Sequence, residues 1–446
     1  MVKRYIMTPG PTPISEEVLM EHARPLMHHR SPEFSKIFIE VTEKLKKLFK
    51  TENDLFILTS SGTGSMEAAV TNFFSKGEKV LVASVGNFGE RFKKISTKFG
   101  LEVISLDYEW GDAVNPQDIK KALDNNPDIK GIMVQFSETS TGAINDIKTI
   151  GNIVKNYPAI LIVDAISGLG ASDLRTDEWG LDVVIGGSQK GLSAPTGTAF
   201  ISVSEKAWKL NEKSDIPRFY FDLTAARNYS QKTPPQTPWT PGISIIVAMN
   251  KALDMVFDEG LENVFERHRI LAMATQKAVE KIGLQLLVKD ETKRGFSVTS
   301  IMVPEGIDAK ALTKTMRVKY GVTIAGGQGK LTGKIVRIGH LGYVGIFDII
   351  VAISALEITL QELGYKLEIG SGISEAERIF VENNYHEKHP EVTVDIEKLK
   401  KIIEEKIIEE WRERERFKIR ELVEINELGN VRLVPAIEIE NKDKIK

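Results

Sequence analysis

A chain of 446 residues has room for a full α/β core, a second domain and an appendage, because single cores stop growing near ~250–300 residues. Its 59 basic and 62 acidic residues leave a formal charge of −3, and no basic tract stands apart as the footprint of a nucleic-acid or membrane-surface binder. Cysteine is absent, which excludes disulfides, thiolate metal sites, cysteine nucleophiles and persulfide chemistry together.

The first seven residues reach Pro9 without a long apolar run, and no later stretch approaches the ~18 apolar residues of a membrane span, so a cytoplasmic location is expected. Lys and Glu dominate the 27% of charged residues, the direction in which thermophile proteins drift. Along the chain, short apolar runs rich in β-branched residues recur at 56–58, 80–82, 132–134, 160–163, 183–185 and 200–203, between stretches of helical spacing. Buried strands alternating with helices predict a mostly parallel sheet covered on both faces, with the chemistry at the carboxyl ends of its strands.

From about residue 260 the pattern becomes a long helix, an alternating run at 297–303, apolar runs at 322–324 and 335–338, and a helix over 349–363. These predict a smaller α+β domain, and the domain limits are set at 1–255, 256–366 and 367–446. In the last segment, 395–420 is dense in Lys, Glu and Arg, with Ile396, Leu399, Ile403, Ile407 and Trp411 on one face of a predicted amphipathic helix. Runs at 422–425 and 431–439 flank Gly429-Asn430 as a candidate hairpin. This charged α/β extension reads as a packing or dimer-bracing element, with a distinct binding module as the alternative.

Two features carry chemistry. The apolar run 161–163 ends in Asp164, and a buried unpaired carboxylate calls for a cationic partner. Further on, the run 183–185 enters Gly186-Gly187-Ser188-Gln189-Lys190, a lysine at a strand end. A pyridoxal phosphate site needs that pair, a Lys for the Schiff base and an Asp for the pyridine nitrogen. Taken singly, Asp164 also reads as a strand terminator and Lys190 as a surface lysine. Upstream, Thr59 to Ser65 is a small-residue turn before an apparent helix, either an anion site or only a tight turn. Phe88 follows another strand and suits either ring stacking or the core.

The order of motifs narrows these alternatives. Gly10-Pro11-Thr12-Pro13, Ser61-Gly62-Thr63-Gly64, Ser140-Thr141-Gly142, Val163-Asp164-Ala165, Gly187-Ser188-Gln189-Lys190-Gly191-Leu192-Ser193-Ala194-Pro195-Thr196-Gly197 and Arg337-Ile338-Gly339-His340-Leu341-Gly342 follow one another across residues 1–365. In them the chain resembles the class V aminotransferases, most of all the alanine:glyoxylate and serine:glyoxylate (serine:pyruvate) group. The resemblance implies fold type I: a large domain with a mostly parallel seven-stranded sheet, a small C-terminal domain, a homodimer with shared active sites, and pyridoxal 5′-phosphate as cofactor. By motif it makes Lys190 the Schiff-base lysine and Asp164 the partner of the pyridine nitrogen. Thr63, Gly64, Ser65 and Gln189 would surround the phosphate, with Ser65 standing where some relatives have histidine. Phe88 takes the ring-stacking position and Thr139 places a hydroxyl near the ring. One or more of Gln236, Thr237 and Thr240 would reach the phosphate from the neighbouring subunit. Arg337 takes the position that binds the substrate α-carboxylate, with Gly10 also at the substrate, and His340 stays open between a structural pair and a site role.

The implied activity passes the amino group of L-alanine or L-serine to glyoxylate or pyruvate, ping-pong through pyridoxamine phosphate. It involves small amino and 2-oxo acids, with no metal, nucleic acid or membrane. Cysteine desulfurases share the motif order, but their catalytic cysteine cannot exist here. The 2-aminoethylphosphonate:pyruvate and phosphoserine aminotransferases are closer rivals, since His29 and Arg30 would suit a phosphorylated substrate. The 337–342 motif matches the glyoxylate group better. The non-enzymatic alternative is an inactive scaffold recruiting a partner through the charged tail, against which stand the intact Asp164 and Lys190.

Overall fold

The computed structural model describes residues 3–385, 421–425 and 431–435. Two compact units divide the chain, Met1–Lys388 and His389–Lys446. In the first, a seven-stranded sheet has the order Asp54–Leu58, Ala199–Val203, Val183–Gly187, Ile160–Asp164, Gly131–Gln135, Lys79–Ser84, Glu102–Asp107. Ala199–Val203 runs antiparallel to both neighbours, and every other pairing in this sheet is parallel.

Alternation assigns the two faces. Leu161, Val163 and Val184 pack with the helices Pro32–Phe49 and Ile243–Glu259, while Ile160, Ile162, Val183 and Ile185 pack on the opposite side with Gly62–Phe73. With both faces covered, the central strands read as unbroken apolar runs. Burying one such Ile stabilises by roughly 1.5–3 kcal/mol, more than the ~1 kcal/mol net of one ladder hydrogen bond, so side-chain burial fixes the strand positions. Glu102–Asp107 was not among the expected strands. It lies at the sheet edge and exposes Glu102, Ser105 and Asp107, which breaks up its apolar signal.

The smaller lobe has the expected α+β make-up. Val298–Met302, Ile335–Gly339 and Ala325–Gly326 form an antiparallel sheet that shares a core with the helices Leu261–Lys281 and Ile346–Glu362. The chain start pairs here too: Tyr5–Ile6 lies parallel to Val322–Thr323, and Gly339 N–H donates to Met7 O at 2.8 Å. That long-range pairing carries Pro9 and Gly10 across to the strand ends of the large sheet. The helix Ser371–Glu382 buries Ala376, Ile379 and Phe380 in the same lobe core.

In the second unit, Glu421–Ile425 and Val431–Pro435 pair antiparallel, as expected of the hairpin. The amphipathic helix expected over 395–420 lies outside the described residues. No described helix is long and apolar enough to cross a membrane.

Candidate active site

Lys190 lies just past the Val183–Gly187 strand, in a turn held by the N-terminal segment. Thr12 N–H donates to Gln189 O at 3.2 Å and Thr12 Oγ1 to Lys190 O at 3.0 Å. The Lys190 side chain is 9% exposed and its ammonium donates to Pro9 O. Gly10, at φ +126°, lies against it: a Cβ there would be 2.5 Å from Lys190 Cδ and 2.7 Å from Nζ, so the position takes no side chain. Burial first, and then the Arg337 charge, lower the Lys190 pKa to about 8, against the pull of Asp164.

Asp164 ends the neighbouring strand and is 4% exposed. Its Oδ1 accepts Ile166 N–H at 3.0 Å, and its Oδ2 has no hydrogen bond among the described residues. Burial raises its pKa to about 7, with the Ile166 N–H opposing and the Glu138 charge adding. Gln135 sits beside Asp164 in register on the next strand, fully buried, with neither amide atom bonded. Gln189 Oε1 is likewise buried without a donor. Such unmet polar atoms are costly, and three residues that carry them gather at the ends of three adjacent strands.

An anion-receptive helix start meets this cluster. Ser61, the N-cap of Gly62–Phe73, makes no side-chain cap, and a Cβ on Gly62 would come within 2.4 Å of Ile166 Cδ1, in the turn after Asp164. Uncapped N–H groups and the helix dipole favour negative charge. Gly64 has no room for a side chain either, with Ser60 Oγ 2.5 Å from where a Cβ would be. Thr63 Oγ1 accepts from Arg91 Nη1 at 2.8 Å, and the Arg91 guanidinium lies 4.5 Å from the Phe88 ring centre. Ser65 is fully buried and its hydroxyl donates to Gly62 O at 2.7 Å, so an anion would meet its backbone rather than its side chain.

From the smaller lobe comes Arg337, 4% exposed, in the Ile335–Gly339 strand. Its Nε donates to Gly326 O at 2.9 Å and its Nη1 to Thr139 O at 2.8 Å, while Nη2 has no hydrogen bond among the described residues. One edge of a planar guanidinium is thus available to a carboxylate. Burial brings its pKa down to about 10, with the Glu138 charge opposing. The Thr139 hydroxyl bonds to Ser167. His340 spends both ring nitrogens in the smaller lobe, 2.9 Å from Thr299 Oγ1 and from Phe296 O, and burial lowers its pKa to about 4. It is a neutral structural pair.

The structure does not bring Gln236, Thr237 and Thr240 to Lys190. Gln236 accepts from Arg30, Thr237 Oγ1 donates to Trp239 O at 2.7 Å, and Thr240 is exposed. Their segment lies beside Trp239, which stacks on Phe219 and Tyr220 at 5.3 and 5.4 Å, next to a cavity of about 300 Å³. Neither that cavity nor another of about 420 Å³ is lined by Lys190 or Asp164. Converging polar groups mark this site better than enclosed volume does. The sequence reading passed over Gln135, Arg91 and Glu138. Arg91 stands one helical turn after Phe88, and Gln135 and Glu138 interrupt a buried run, which were the available signals.

Known proteins resemble this chain over most of its length. A "Soluble hydrogenase, small subunit" of Synechococcus sp. is 42% identical over 84% of this chain and 98% of its own length. A serine–glyoxylate aminotransferase of Methylorubrum extorquens is 35% identical over 85% of this chain and 97% of its own. The crystal structure of a ureidoglycine–glyoxylate aminotransferase from Bacillus subtilis superposes with a TM-score of 0.81 at 30% identity, covering 85% of this chain and 99% of that one. The profile of the family described as aminotransferase class-V matches residues 13–338, the span that holds every group of the Lys190 cluster except Gly10 and the chain start. The chain belongs to the class V aminotransferases.

Proposed function

We propose that this chain uses pyridoxal 5′-phosphate to transfer the amino group of L-alanine or L-serine to glyoxylate and, less well, to pyruvate. The observation that carries the reading is the convergence of a buried Lys190, an under-bonded Asp164 and an open-edged Arg337 at one end of the sheet.

The residues fit the cofactor. Asp164 keeps one oxygen free and has its pKa pushed up, so a protonated ring nitrogen is the partner that would relieve it. The uncapped Gly62–Phe73 start, with Thr63, Gly64, the backbone of Ser65 and Arg91, suits a phosphate, toward which Gln189 would turn its amide NH2 rather than its Oε1. Phe88 offers a ring face, and the Thr139 hydroxyl and Lys190 complete the set. When bound, the cofactor would supply the aldehyde that takes up the amino group and a ring that accepts the electron pair released at the substrate Cα.

The chain's own groups do the rest. Arg337 binds the α-carboxylate through its free edge and so orients the Cα–H bond. Lys190 is the base that takes the substrate Cα proton and gives it up again from the same amine. A pKa near 8 leaves a useful neutral fraction of its amine at physiological pH, where an ordinary lysine would be almost wholly charged. Asp164 holds its proton partner in place throughout. A site with one buried carboxylate anchor, Arg337, suits small amino acids, while Arg30 lies exposed with one Nη on Gln236.

The hydrogenase name belongs to the relative that carries it, and this chain has no cysteine with which to ligate a redox metal through thiolate. A homodimer in which residues 236–240 serve the other subunit's phosphate is part of the proposal. It is supported by the exposure of Phe219, at 79%, beside a segment that makes no bond to its own Lys190 cluster. The test is a side-by-side panel of alanine, serine, aspartate and 2-aminoethylphosphonate as donors to glyoxylate and pyruvate. Alanine or serine with glyoxylate should be fastest; 2-aminoethylphosphonate as the best donor would overturn the substrate assignment.

A further inference from the structure

Glu138 is fully buried, and its carboxylate is met by donors on both oxygens. Oε2 accepts Phe88 N–H at 3.0 Å and Gly89 N–H at 3.2 Å, and Oε1 accepts the N–H and the hydroxyl of Ser140 at 3.0 and 2.6 Å. Three of these are backbone N–H groups, which only donate. Ser140 Oγ accepts Asn87 N–H at 2.8 Å and has its own proton to give to Glu138. Three obligate donors and a hydroxyl that can also donate suit an ionised carboxylate, and Ser140 Oγ is the one partner that could instead accept a carboxyl proton. Gly86 makes the seat: a Cβ there would lie 2.4 Å from Glu138 Cγ.

These donors belong to two different arms of the site. Phe88 and Gly89 begin the Asn87–Lys98 helix, which presents the Phe88 ring and Arg91. Ser140 follows Thr139, whose carbonyl holds Arg337 Nη1. We propose that Glu138 is an ionised positioning residue whose four hydrogen bonds lock Phe88 and the carbonyl that aims Arg337 into one frame, and whose charge balances Arg337 and Lys190 before a substrate carboxylate arrives. The role given to Arg337 rests on the aminotransferase reading; the charge of Glu138 does not. Burial raises the Glu138 pKa and the four donors oppose it; the donor geometry is what favours the ionised form.

The charged groups acting on Lys190 are Arg337 and Arg91, which lower its pKa, and Asp164 and Glu138, which raise it. Removing the Glu138 charge leaves the two arginines less opposed, so Lys190 should lose its proton at lower pH. The experiment follows the pH dependence of Lys190 labelling by an amine reagent in the full chain without added cofactor, alongside kcat/KM with cofactor. Glu138→Gln should lower the Lys190 pKa by about one unit and cut kcat/KM for alanine by about tenfold or more. Glu138→Asp keeps the charge but is one methylene short, so it should hold the Lys190 pKa near the wild-type value while losing turnover. A purely structural residue would not separate the two readouts in this way.

A folded Glu138→Gln protein with an unchanged Lys190 pKa would overturn the proposal. If that variant does not fold, Ser140→Ala is used, which removes a donor and makes Glu138 easier to protonate. The acid limb of kcat/KM should then move to higher pH, and an unmoved limb would overturn the proposal equally. A wild-type chain without aminotransferase activity whose Lys190 pKa still falls in Glu138→Gln would remove the proposed function and leave this inference standing.

Discussion

Glu357 in the smaller lobe and Asp164 in the large sheet are both buried carboxylates, but they are treated differently. Glu357 has a backbone N–H on each oxygen, 2.7 Å from Gly370 and from Gly372, and so ties the start of Ser371–Glu382 to Ile346–Glu362. Asp164 has one donor and an open oxygen, with the unbonded amide of Gln135 beside it. The histidines of the smaller lobe follow Glu357: His340 uses both ring nitrogens, and His268 bridges Val264 O and Gly342 N–H. An unmet buried polar group costs ~1–3 kcal/mol. Glu357 and these two histidines are thus spent on stability, whereas Asp164 and Gln135 at the strand ends are held in a costly state that a ligand would relieve.

Substitutions should separate the two regions by which property they damage. The largest effect is expected at Lys190, where Lys190→Ala removes the base and the cofactor anchor. Turnover should fall by about 10⁴-fold or more with melting temperature unchanged or raised, measured by steady-state rates and calorimetry. Next is Arg337→Ala, which should cost about 3 kcal/mol in kcat/KM, shared by every 2-amino acid, because it removes a desolvated bidentate contact.

Glu357→Ala should do the opposite. Two backbone N–H groups are left buried, so stability should drop by about 2–3 kcal/mol in urea unfolding while turnover per folded site stays near wild type.

The smallest and most diagnostic effect is a gain. The folded-state pKa of Asp164 is raised to about 7 from 3.8, so its ionised form is disfavoured in the fold. The resulting destabilisation is absent below about pH 4, grows as pH rises toward 7 and is constant above that. In cofactor-free protein Asp164→Asn should therefore stabilise at pH 8 and not at pH 4, although it should lose activity. A loss of stability at pH 8 would put Asp164 in the same class as Glu357.

Central strands and motif residues were legible in the sequence because they rest on local order. The runs at 160–163 and 183–185 lie in strands buried on both faces; Asp164 ends the first and Lys190 lies in the turn after the second. What was missed depends on contacts that sequence spacing does not encode. The Glu102–Asp107 strand is an exposed edge, and the Tyr5–Ile6 pairing spans more than three hundred residues. Glu138 looks like an ordinary acidic residue until the Asn87–Lys98 helix start is folded against it. Thr237 shows the opposite limit: its motif was readable, but within one chain its hydroxyl bonds only to its own segment.

The most direct test of the central claim is the visible absorption spectrum of the full-length protein titrated with pyridoxal 5′-phosphate, wild type against Lys190→Ala. A saturable band of lysine-bound cofactor, bleached by L-alanine, restored by glyoxylate and absent in Lys190→Ala, is the predicted result. A band that persists in Lys190→Ala, or a wild-type chain that takes up no cofactor, would contradict the assignment of the unmet polar cluster as its site.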